Sequence, residues 1–508
     1  MRAERRREIE RQMMEDAHTS RPKERKNGLF VFISLLYILT AVAFFYFVFK
    51  LDVLPAKYLF AGIGVTAVIT LFTLPVMISK RGKWGRKIGA SVLSLVMIAG
   101  FMMGTYYLAS TNSFLDTITK KSVPTESFYL MARRSDLPDG FSDMNSKERK
   151  EYALERISGT TVGTFTSNDQ MYSKAKVTLQ EETSNVEYSY YDAPGTTVQA
   201  LINGECDTML IPKASYEALK SEGTYDMQGQ TKRLYTVKVP KDTVDTTRAV
   251  NVTKEPFNIY ISGTDNDGAR SDVNMVATVN PVKHEVLLTS IPRDLYVELP
   301  SKEAKDKLTH SSIYGMEESV AAVEKELGIN VNYYVRVNYR CLRKIVDAIG
   351  GIDVESQYDF YTSGMGRLDG THFVVGMNHM DGDMALAFCR ERHSFMSGDM
   401  TRNENQQAVL EAILKKATSS TEILKSYTSI LEAVSGNLKT DMSTDEMSDL
   451  IKMQLNKMPK WNIRKSAIKG ETGTDFCYSL GQYASVVYSQ PDEITKAVDE
   501  IVKTQMNE

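Results

Sequence analysis

Arginine and aspartate side chains recur in the C-terminal half of the chain at points where apolar runs stop. These polar residues are Asp265, Arg270, Asp272, Arg293, Asp294, Arg390, Arg392, Asp399, Arg402 and Gln406. Guanidinium groups bind phosphate oxygens in a two-pronged fork, and aspartates can hold a divalent cation between those oxygens. The pattern therefore predicts a pyrophosphate site, against the alternative that each arginine forms an ordinary surface salt bridge.

Other catalytic chemistries lack their motifs. The sequence has no G-x-S-x-G, no P-loop, no H-E-x-x-H and no C-x-x-C. An S-x-x-K match begins at Ser466, but no K-T-G follows it, so a penicillin-binding interpretation fails. Phosphoryl transfer needs mainly positioning and charge stabilisation, which arginines and a metal ion supply. The pairing of the four distant cysteines stays open; they are Cys206, Cys341, Cys389 and Cys477.

Strands and helices that alternate along the chain are predicted to position these groups. From Pro256, the apolar runs FNIYIS, VNMVATVN, VLLTSI and YYVRVNY indicate strands, and helices are predicted at 313–327, 341–349, 381–389 and 402–416. This order predicts an α/β layered domain whose strands are buried between helices. Loops at strand ends are where such domains place ligands. The stretch 419–508 is predicted to be helix-rich with one strand.

The first part of the chain is predicted to cross a membrane three times. The stretches 29–49, 58–78 and 88–108 contain no charged residue, and each is long enough for a helix to span a bilayer. Lysine and arginine are dense in 1–28 and in the loop 79–87, whereas the loop between the first two spans has only Lys50 and Lys57. The positive-inside rule therefore predicts a cytoplasmic basic tail and an exported C-terminal part.

The exported part is predicted to be acidic and to form two domains. Residues 1–108 carry 16 Lys+Arg and 7 Asp+Glu, a net charge of +9, so the other 400 residues carry −12. An acidic domain binds DNA phosphate poorly, and no nucleic-acid partner is expected; the basic tail is typical of contact with anionic membrane lipids. In residues 111–250, the short β-rich runs KAKVTLQ, NVEYSYY and RLYTVKVP predict strands and the run 214–221 predicts a helix, so this part is predicted to be a small α+β accessory domain. Residues 256–508 hold the arginines.

The arginine-rich domain resembles a known family. The stretches FNIYISGTDNDGARSDVNMVATVNP…VLLTSIPRDLYVELP, YYVRVNYRCLRKIVDAIGGIDVE and MDGDMALAFCRERHSFMSGDMTRNENQQAVL look like the LytR-CpsA-Psr core over 256–416. The R-S-D, I-P-R-D and R-x-R…D-x-x-R elements carry the likeness together. Three spans followed by an accessory domain resemble the capsule-associated members of streptococci. Asn405 departs from the pattern, because many members have arginine before the glutamine at Gln406.

The resemblance implies an α/β/α sandwich with a deep apolar pocket for a polyprenyl tail, for which we expect walls at 286–291 and 331–349. It implies an enzyme of the Gram-positive cell membrane, whose large C-terminal part is extracellular. This enzyme would move a glycopolymer, here capsular polysaccharide, from undecaprenyl pyrophosphate to peptidoglycan with Mg²⁺, alongside other capsule-synthesis membrane proteins.

The resemblance also assigns roles to the polar residues. Asp265 and Asp272 would hold Mg²⁺, and Asp399 would be the base for the acceptor hydroxyl or a further group near the metal. Arg270, Arg293 and Asp399 would be the catalytic residues. The pyrophosphate ligands would be Arg270, Arg293, Arg390, Arg392, Arg402 and Gln406.

Two other functions stay open. One is a membrane-anchored regulator or attenuator of capsule synthesis, although the cytoplasmic tail holds no recognisable helix-turn-helix. The other is a hydrolase of, or receptor for, the lipid-linked pyrophosphate. A reporter assay on a mutant lacking only residues 1–26 tests the regulator. Product analysis tests the hydrolase, because a transferase leaves polymer on peptidoglycan whereas a hydrolase releases it.

Overall fold

The structure is a computed structural model. It describes residues 27–79, 83–119, 125–166, 170–183, 185–223, 225–240, 248–264, 270–364, 368–396, 398–419, 427–434 and 437–506. The chain divides into two compact units, Met1–Asn112 and Ser113–Glu508. The predicted cytoplasmic tail lies almost entirely outside the described residues.

The first unit contains three helices that are long and apolar enough to cross a membrane. These helices are α1 (Gly28–Leu51), α2 (Ala56–Ile78) and α3 (Trp84–Ile118), and the last turns of α3 continue beyond Asn112. They pack through an apolar cluster that includes Tyr37, whose hydroxyl lies 2.8 Å from Thr70 Oγ1. Large apolar side chains such as Phe60 and Phe72 point outward and stay exposed. Apolar surface outside and paired polar groups inside suit a lipid environment.

The second unit begins with an accessory part built on a five-stranded sheet in the order β3-β2-β4-β1-β5. Its elements are β1 (Thr125–Arg133), α4 (Ser146–Ile157), β2 (Thr161–Phe165), α5 (Gln170–Glu182), β3 (Glu187–Tyr191), α6 (Pro194–Asn203), β4 (Thr208–Pro212), α7 (Lys213–Glu222), α8 (Met227–Gln230) and β5 (Thr231–Pro240). Helices α4 and α5 cover one face of this sheet, and α6 and α7 cover the other. The predicted mixture of helix and strand is confirmed.

The run KAKVTLQ was wrongly predicted as a strand, because it lies within α5. Tyr172, Ala175 and Leu179 are the buried residues of this helix, and their spacings of three and four place them on one face. Val177 is exposed on the opposite face. The β-branched residues in KAKVTLQ favoured a strand locally, but packing of the apolar stripe against the sheet decides for the helix.

The rest of the unit is an α/β/α sandwich around a six-stranded mixed sheet in the order β16-β11-β6-β7-β8-β17. The strands of this part, six of which form the main sheet and the others two-stranded sheets, are β6 (Phe257–Thr264), β7 (Ser271–Asn280), β8 (Glu285–Ile291), β9 (Tyr296–Leu299), β10 (Ala304–Lys307), β11 (Tyr333–Asn338), β12 (Ile352–Ser356), β13 (Phe360–Tyr361), β14 (His372–Phe373), β15 (Gly376–Met380), β16 (Leu438–Thr440), β17 (Asn462–Ala467), β18 (Gly470–Cys477) and β19 (Gln482–Ser489). Its helices are α9 (Leu308–Ser311), α10 (Met316–Leu327), α11 (Tyr339–Ala348), α12 (Gly382–Arg390), α13 (Gly398–Ser419), α14 (Tyr427–Val434), α15 (Thr444–Lys457) and α16 (Pro491–Gln505).

Side chains of the central strands alternate between two apolar layers, as the two-residue period of a strand requires. Tyr260 faces the layer formed with α10 and α16 and is fully buried. Ile259 and Ile261, on either side of it, face the layer formed with α13. Helices therefore cover both faces of the sheet, which confirms the predicted sandwich.

The C-terminal stretch departs from the prediction of one strand, because four strands lie within it. Strand β17 pairs in parallel with β8 at the edge of the main sheet, and β18 pairs with β19 in an antiparallel hairpin. These strands carry many polar residues, such as those of NIRKSA and GETGTD, because one face of each is exposed. Their low apolar content explains why the pattern of hydrophobic residues did not indicate them.

The accessory part and the sandwich share a buried interface. Apolar side chains of the β18–β19 hairpin, including Leu480 and Val486, lie in the same cluster as the accessory strands β1 and β4. Lys302 Nζ lies 3.3 Å from Glu126 Oε2, and both side chains are almost fully buried. The two parts therefore form one compact unit in this structure.

Candidate functional site

One end of the main sheet brings together several of the polar residues that the sequence singles out. Strands β6 and β8 end there at Thr264 and Ile291, β7 begins there at Ser271, and β11 ends there at Asn338. Parallel and antiparallel neighbours thus bring residues far apart in sequence to the same edge. The segments after these strand ends hold the site.

Arg293 lies between two carboxylates at this edge. Its Nη1 donates to Asp272 Oδ1 at 2.9 Å, and its Nε donates to Asp294 Oδ2 at 3.3 Å. Lys307 Nζ is 3.8 Å from the other oxygen of Asp294. The side chains of Arg293 and Asp272 keep 19% and 14% of their surface exposed. The guanidinium is therefore fixed in orientation yet partly accessible to a ligand.

The loop that carries Arg293 is held by backbone hydrogen bonds from three directions. Leu295 N donates to Pro292 O at 3.1 Å within the loop itself. Thr309 N donates to Arg293 O at 2.7 Å, and Val487 N donates to Asp294 O at 2.8 Å. These bonds satisfy the backbone of the loop and fix the start of the arginine side chain.

Tyr339, which the sequence analysis missed, connects this cluster to further arginines. Its hydroxyl donates to Asp272 Oδ2 at 3.1 Å. Burial raises the pKa of Tyr339, and the negative charge of Asp272 raises it further, while the positive charges of Arg402 and Arg390 oppose that rise. The phenol is therefore a neutral donor near neutral pH. The Arg390 guanidinium also lies over the Tyr339 ring, 5.3 Å from its centroid.

The position of Tyr339 in the sequence could have indicated its role. It is the first residue of α11, directly after the strand β11, and thus stands at the same kind of strand end as the arginines. The pattern of arginine and aspartate residues did not indicate this position, because tyrosine is not a charged residue type.

Two amides of α13 attach this helix to the end of α12. Asn405 Nδ2 donates to Phe388 O, and Gln406 Nε2 donates to Cys389 O, both at 3.3 Å. These carbonyls belong to the last turn of α12, where backbone acceptors lack partners within the helix. Asn405, which replaces the arginine of many family members, thus has a structural contact here. The phosphate contact of Gln406 stays a prediction.

Glu391 organises the loop between α12 and α13. It is fully buried, and its carboxylate accepts hydrogen bonds from the backbone N–H groups of Ser363, His393 and Ser394 at 2.7, 2.6 and 3.0 Å. Its neighbours Arg390 and Arg392 are exposed. A glutamate between two arginines resembles surface charge, so the sequence offered no signal for this role.

The structure brings Asp272, Arg293, Arg390 and Arg402 into one group through Tyr339. Arg402 is 6% exposed and lies in the first turns of α13. Arg270 directly precedes β7 at the same edge and is partly exposed. Asp265 lies outside the described residues. Asp399 is in the first turn of α13, but its side chain also lies outside what the structure describes.

A divalent cation at this edge would find two carboxylates among the described residues, those of Asp272 and Asp294. Within the described ranges, no three Asp, Glu, His or Cys side chains form a group that could hold a metal. Mg²⁺ usually binds one or two carboxylates together with phosphate oxygens and water. Asp272, whose oxygens face Arg293 and Tyr339, fits such a site by the chemistry of its donors.

The layer between the main sheet and α13 is apolar but incompletely buried. Ile259 and Ile261 of β6 and Leu410 and Leu414 of α13 line it and are only partly buried, whereas Leu288 is fully buried. The layer on the opposite face, with Tyr260 and its neighbours, is closely packed.

The predicted walls of the lipid pocket divide among clusters. Val286 and Leu288 lie in the α13 layer, Val331 lies in the opposite layer, and Val346 and Ile349 pack in a third cluster. A separate pocket of about 220 Å³ beside α13 has charged and amide groups in its lining. The lipid pocket stays a prediction.

The four cysteines are all buried, and no disulfide joins any two of these described residues. Burial raises the pKa of the Cys341 and Cys389 thiols to about 12. Both thiols are thus protonated at neutral pH and are poor nucleophiles.

Comparison with known proteins assigns this region to a family. The LytR_cpsA_psr family matches residues 217–503. A protein of Bacillus mycoides named polyisoprenyl-teichoic acid–peptidoglycan teichoic acid transferase TagU is 40% identical over 206 residues, which cover 40% of this chain and 66% of the relative. A protein of the same name from Enterococcus faecalis is 38% identical over 204 residues, which cover 39% of this chain and 65% of the relative. The crystal structure of TagU from B. subtilis has a TM-score of 0.39 and 28% identity, covering 50% of this chain and 99% of that one. The matched stretch therefore spans slightly less than two thirds of the curated relatives.

Proposed function

Because the chain belongs to the LytR-CpsA-Psr family, we propose that it transfers a glycopolymer from a polyprenyl-pyrophosphate carrier to peptidoglycan. The observation that carries this proposal is the partly exposed Arg293 held between Asp272 and Asp294, with Arg390 and Arg402 nearby. Relatives named as transferases of teichoic acid to peptidoglycan support the reaction class.

The arginines bind the pyrophosphate in this proposal. Arg293 and Arg390 contact its oxygens, with Arg402 deeper in the site and Arg270, Arg392 and Gln406 at its margins. Cations held in a partly desolvated position stabilise phosphate charge more strongly than cations in water do. The hydrogen bonds from Arg293 to Asp272 and Asp294 support this role, because they orient the guanidinium before the substrate arrives.

The chemical step is a substitution at phosphorus. A hydroxyl oxygen of peptidoglycan forms a bond to the phosphorus that carries the polymer, and the bond from this phosphorus to the bridging oxygen breaks. The bridging oxygen leaves with the electron pair as part of the polyprenyl phosphate. Asp399 accepts the hydroxyl proton, and the arginines stabilise the charge that develops on the leaving phosphate.

Asp265 and Asp272 would hold Mg²⁺, and the ion when bound would supply further positive charge to the phosphate oxygens. Arg293 donates to one oxygen of Asp272 and Tyr339 donates to the other, so the two side chains orient this carboxylate. This arrangement supports the proposal because a metal-binding carboxylate is usually oriented by neighbouring donors.

The lipid tail enters the layer between the main sheet and α13. The partly buried Ile259, Ile261, Leu410 and Leu414 support this assignment, because an apolar surface of this kind can accept an isoprenoid chain. The pyrophosphate would then remain at the sheet edge near Arg293.

The orientation in the membrane and the polymer complete the proposal. We propose that the N-terminus is cytoplasmic, that the second unit is extracellular, and that capsular polysaccharide is the polymer carried. The distribution of lysine and arginine around the three spans supports the orientation. Membrane lipids, peptidoglycan and other capsule-synthesis membrane proteins would be its partners.

The test uses the full-length protein in lipid nanodiscs. A polyprenyl-pyrophosphate saccharide and peptidoglycan fragments are added with and without Mg²⁺, and the products are separated by mass. Polymer linked by phosphodiester to peptidoglycan supports the proposal, whereas free polymer would indicate a hydrolase. Parallel donors carrying capsular polysaccharide and teichoic acid identify the polymer, and absence of any product with both would contradict the transferase assignment.

A further inference from the structure

The β18–β19 hairpin touches both the accessory part and the loop that carries Arg293. Val486 is fully buried in the apolar cluster shared with the accessory sheet. Val487, the next residue of the same strand, donates its backbone N–H to Asp294 O at 2.8 Å. One strand of the hairpin therefore joins two regions of the unit.

The turn of the hairpin makes a second pair of contacts. Gly481 has a positive φ of 64°, and a Cβ built there would lie 2.5 Å from Cδ of Pro194 at the start of α6. Two residues earlier, Ser479 N donates to Asp306 Oδ2 at 2.7 Å. The turn thus abuts the accessory part on one side and bonds a buried carboxylate of the sandwich on the other.

Asp306 connects this turn to the loop that carries Arg293. Its side chain is fully buried, and its other oxygen accepts the Lys307 N–H and lies 2.7 Å from His310 Nδ1. These bonds hold the segment 306–310. Within it, the backbone N–H of Thr309 donates a hydrogen bond to Arg293 O. The segment also places Lys307 Nζ beside Asp294.

We propose that the β18–β19 hairpin and Asp306 position Arg293, and that the accessory part is the support against which the hairpin packs. The inference rests on the proposed function, because it gives the accessory part a role in pyrophosphate binding. Asp306 and Val486 act as positioning residues through the Arg293 loop. A displacement of well under 1 Å matters at such a site, because a fork of two hydrogen bonds requires a fixed direction.

Two matched valines test the proposal in the full-length protein. Val486 and Val162 are both fully buried, and they lie in clusters on opposite faces of the accessory sheet. Hydrogen exchange of residues 292–309 is measured in Val486→Ala and Val162→Ala. Exchange should become faster in Val486→Ala and stay unchanged in Val162→Ala, since only the first substitution loosens the hairpin.

Affinity for geranylgeranyl pyrophosphate gives a second measurement. We expect Val486→Ala and Asp306→Asn to weaken binding by about tenfold, and Val162→Ala by less than about twofold. In an Arg293→Ala background, Val486→Ala should cause no further loss, because both changes act on the same group.

The proposal is wrong if Val486→Ala and Val162→Ala behave alike in exchange, or if the effects of Val486→Ala and Arg293→Ala are additive. Should Val486→Ala fail to fold, Asp306→Asn replaces it in both measurements. Failure of the wild-type protein to bind the pyrophosphate would contradict the proposed function, while the exchange comparison would still decide this inference.

Discussion

Arg293, in the loop after β8, and Arg464, in β17, each lie between two carboxylates. Arg293 donates to Asp272 and Asp294. Arg464 donates to Glu285 and to Glu500. An ion pair by itself therefore does not distinguish a binding arginine from a structural one.

The surroundings of the two arginines differ. Arg464 Nη2 also donates to Thr504 Oγ1 at 2.8 Å, so its donors connect the sheet to α16. At the Arg293 end, Lys307, Arg390 and Arg402 add positive charge around a cluster with two carboxylates. Arg390 and Arg402 lie with Arg293 around Tyr339 and Asp272. Guanidinium groups bind phosphate oxygens in a two-pronged fork, so this grouping of arginines is what supports a phosphate site.

The largest expected effect is on activity at the Arg293 end. Arg293→Ala removes an oriented fork from the leaving phosphate and should lower turnover by about a hundredfold. Asp272→Ala should act in the same direction, since it removes the carboxylate that orients Arg293. Transfer per folded molecule is the measurement, with Mg²⁺ varied. Near-normal turnover in both variants would place the site elsewhere.

A conservative change sharpens the comparison. Arg293→Lys retains the positive charge but loses the two-pronged geometry, so turnover should fall by about tenfold. Arg464→Lys is the matched control and should leave turnover per folded molecule unchanged. Full activity of Arg293→Lys would show that only charge is needed at this position.

The structural arginine should affect stability alone. Arg464→Ala removes the contacts between β17 and α16, and the free energy of unfolding should fall by about 1 kcal/mol, a small value because the side chain is partly solvated. Urea denaturation of the second unit gives this quantity. If Arg464→Ala lowered turnover per folded molecule instead, the distinction between the two ends would fail.

The smallest expected effect concerns acid pH at the Arg464 end. Hydrogen bonding to the Arg464 guanidinium lowers the pKa of Glu500 below its ordinary value. A carboxylate with a lowered pKa in the folded state adds stability above its unfolded pKa, and this stability is lost as the pH falls through the folded value.

The stabilities of wild type and Arg464→Ala should therefore converge below about pH 4. Urea denaturation between neutral pH and this range provides the measurement. A constant difference over the whole range would exclude the contribution of Glu500.

Much of the fold follows from local pattern. The three uncharged stretches correspond to helices α1, α2 and α3, and the runs FNIYIS and VLLTSI are the strands β6 and β8. In each case a run of apolar residues matches the length and period of a single element, so no distant partner is needed to recognise it. The same reasoning predicted Arg293 in a loop after a strand, which is confirmed. It also predicted Asp272 in the loop after β6, whereas Asp272 is the second residue of β7.

Contacts between residues far apart in the chain could not be predicted from the sequence. Arg293 meets Asp272 across 21 residues, and Tyr339 meets Asp272 across 67. Which strand ends are neighbours depends on the order and register of the sheet, which local propensity does not encode. The amide contact of Asn405 and the buried position of Glu391 likewise depend on packing between α12 and α13.

Local composition and period are enough to predict the apolar helices, the central strands and the types of side chain at the strand ends. That KAKVTLQ is a helix, that the polar C-terminal runs are strands and that Val487 bonds the Arg293 loop depends on packing between distant elements. These features arise when one face of an element is buried against a distant partner, and the free energy of that burial outweighs the local preference.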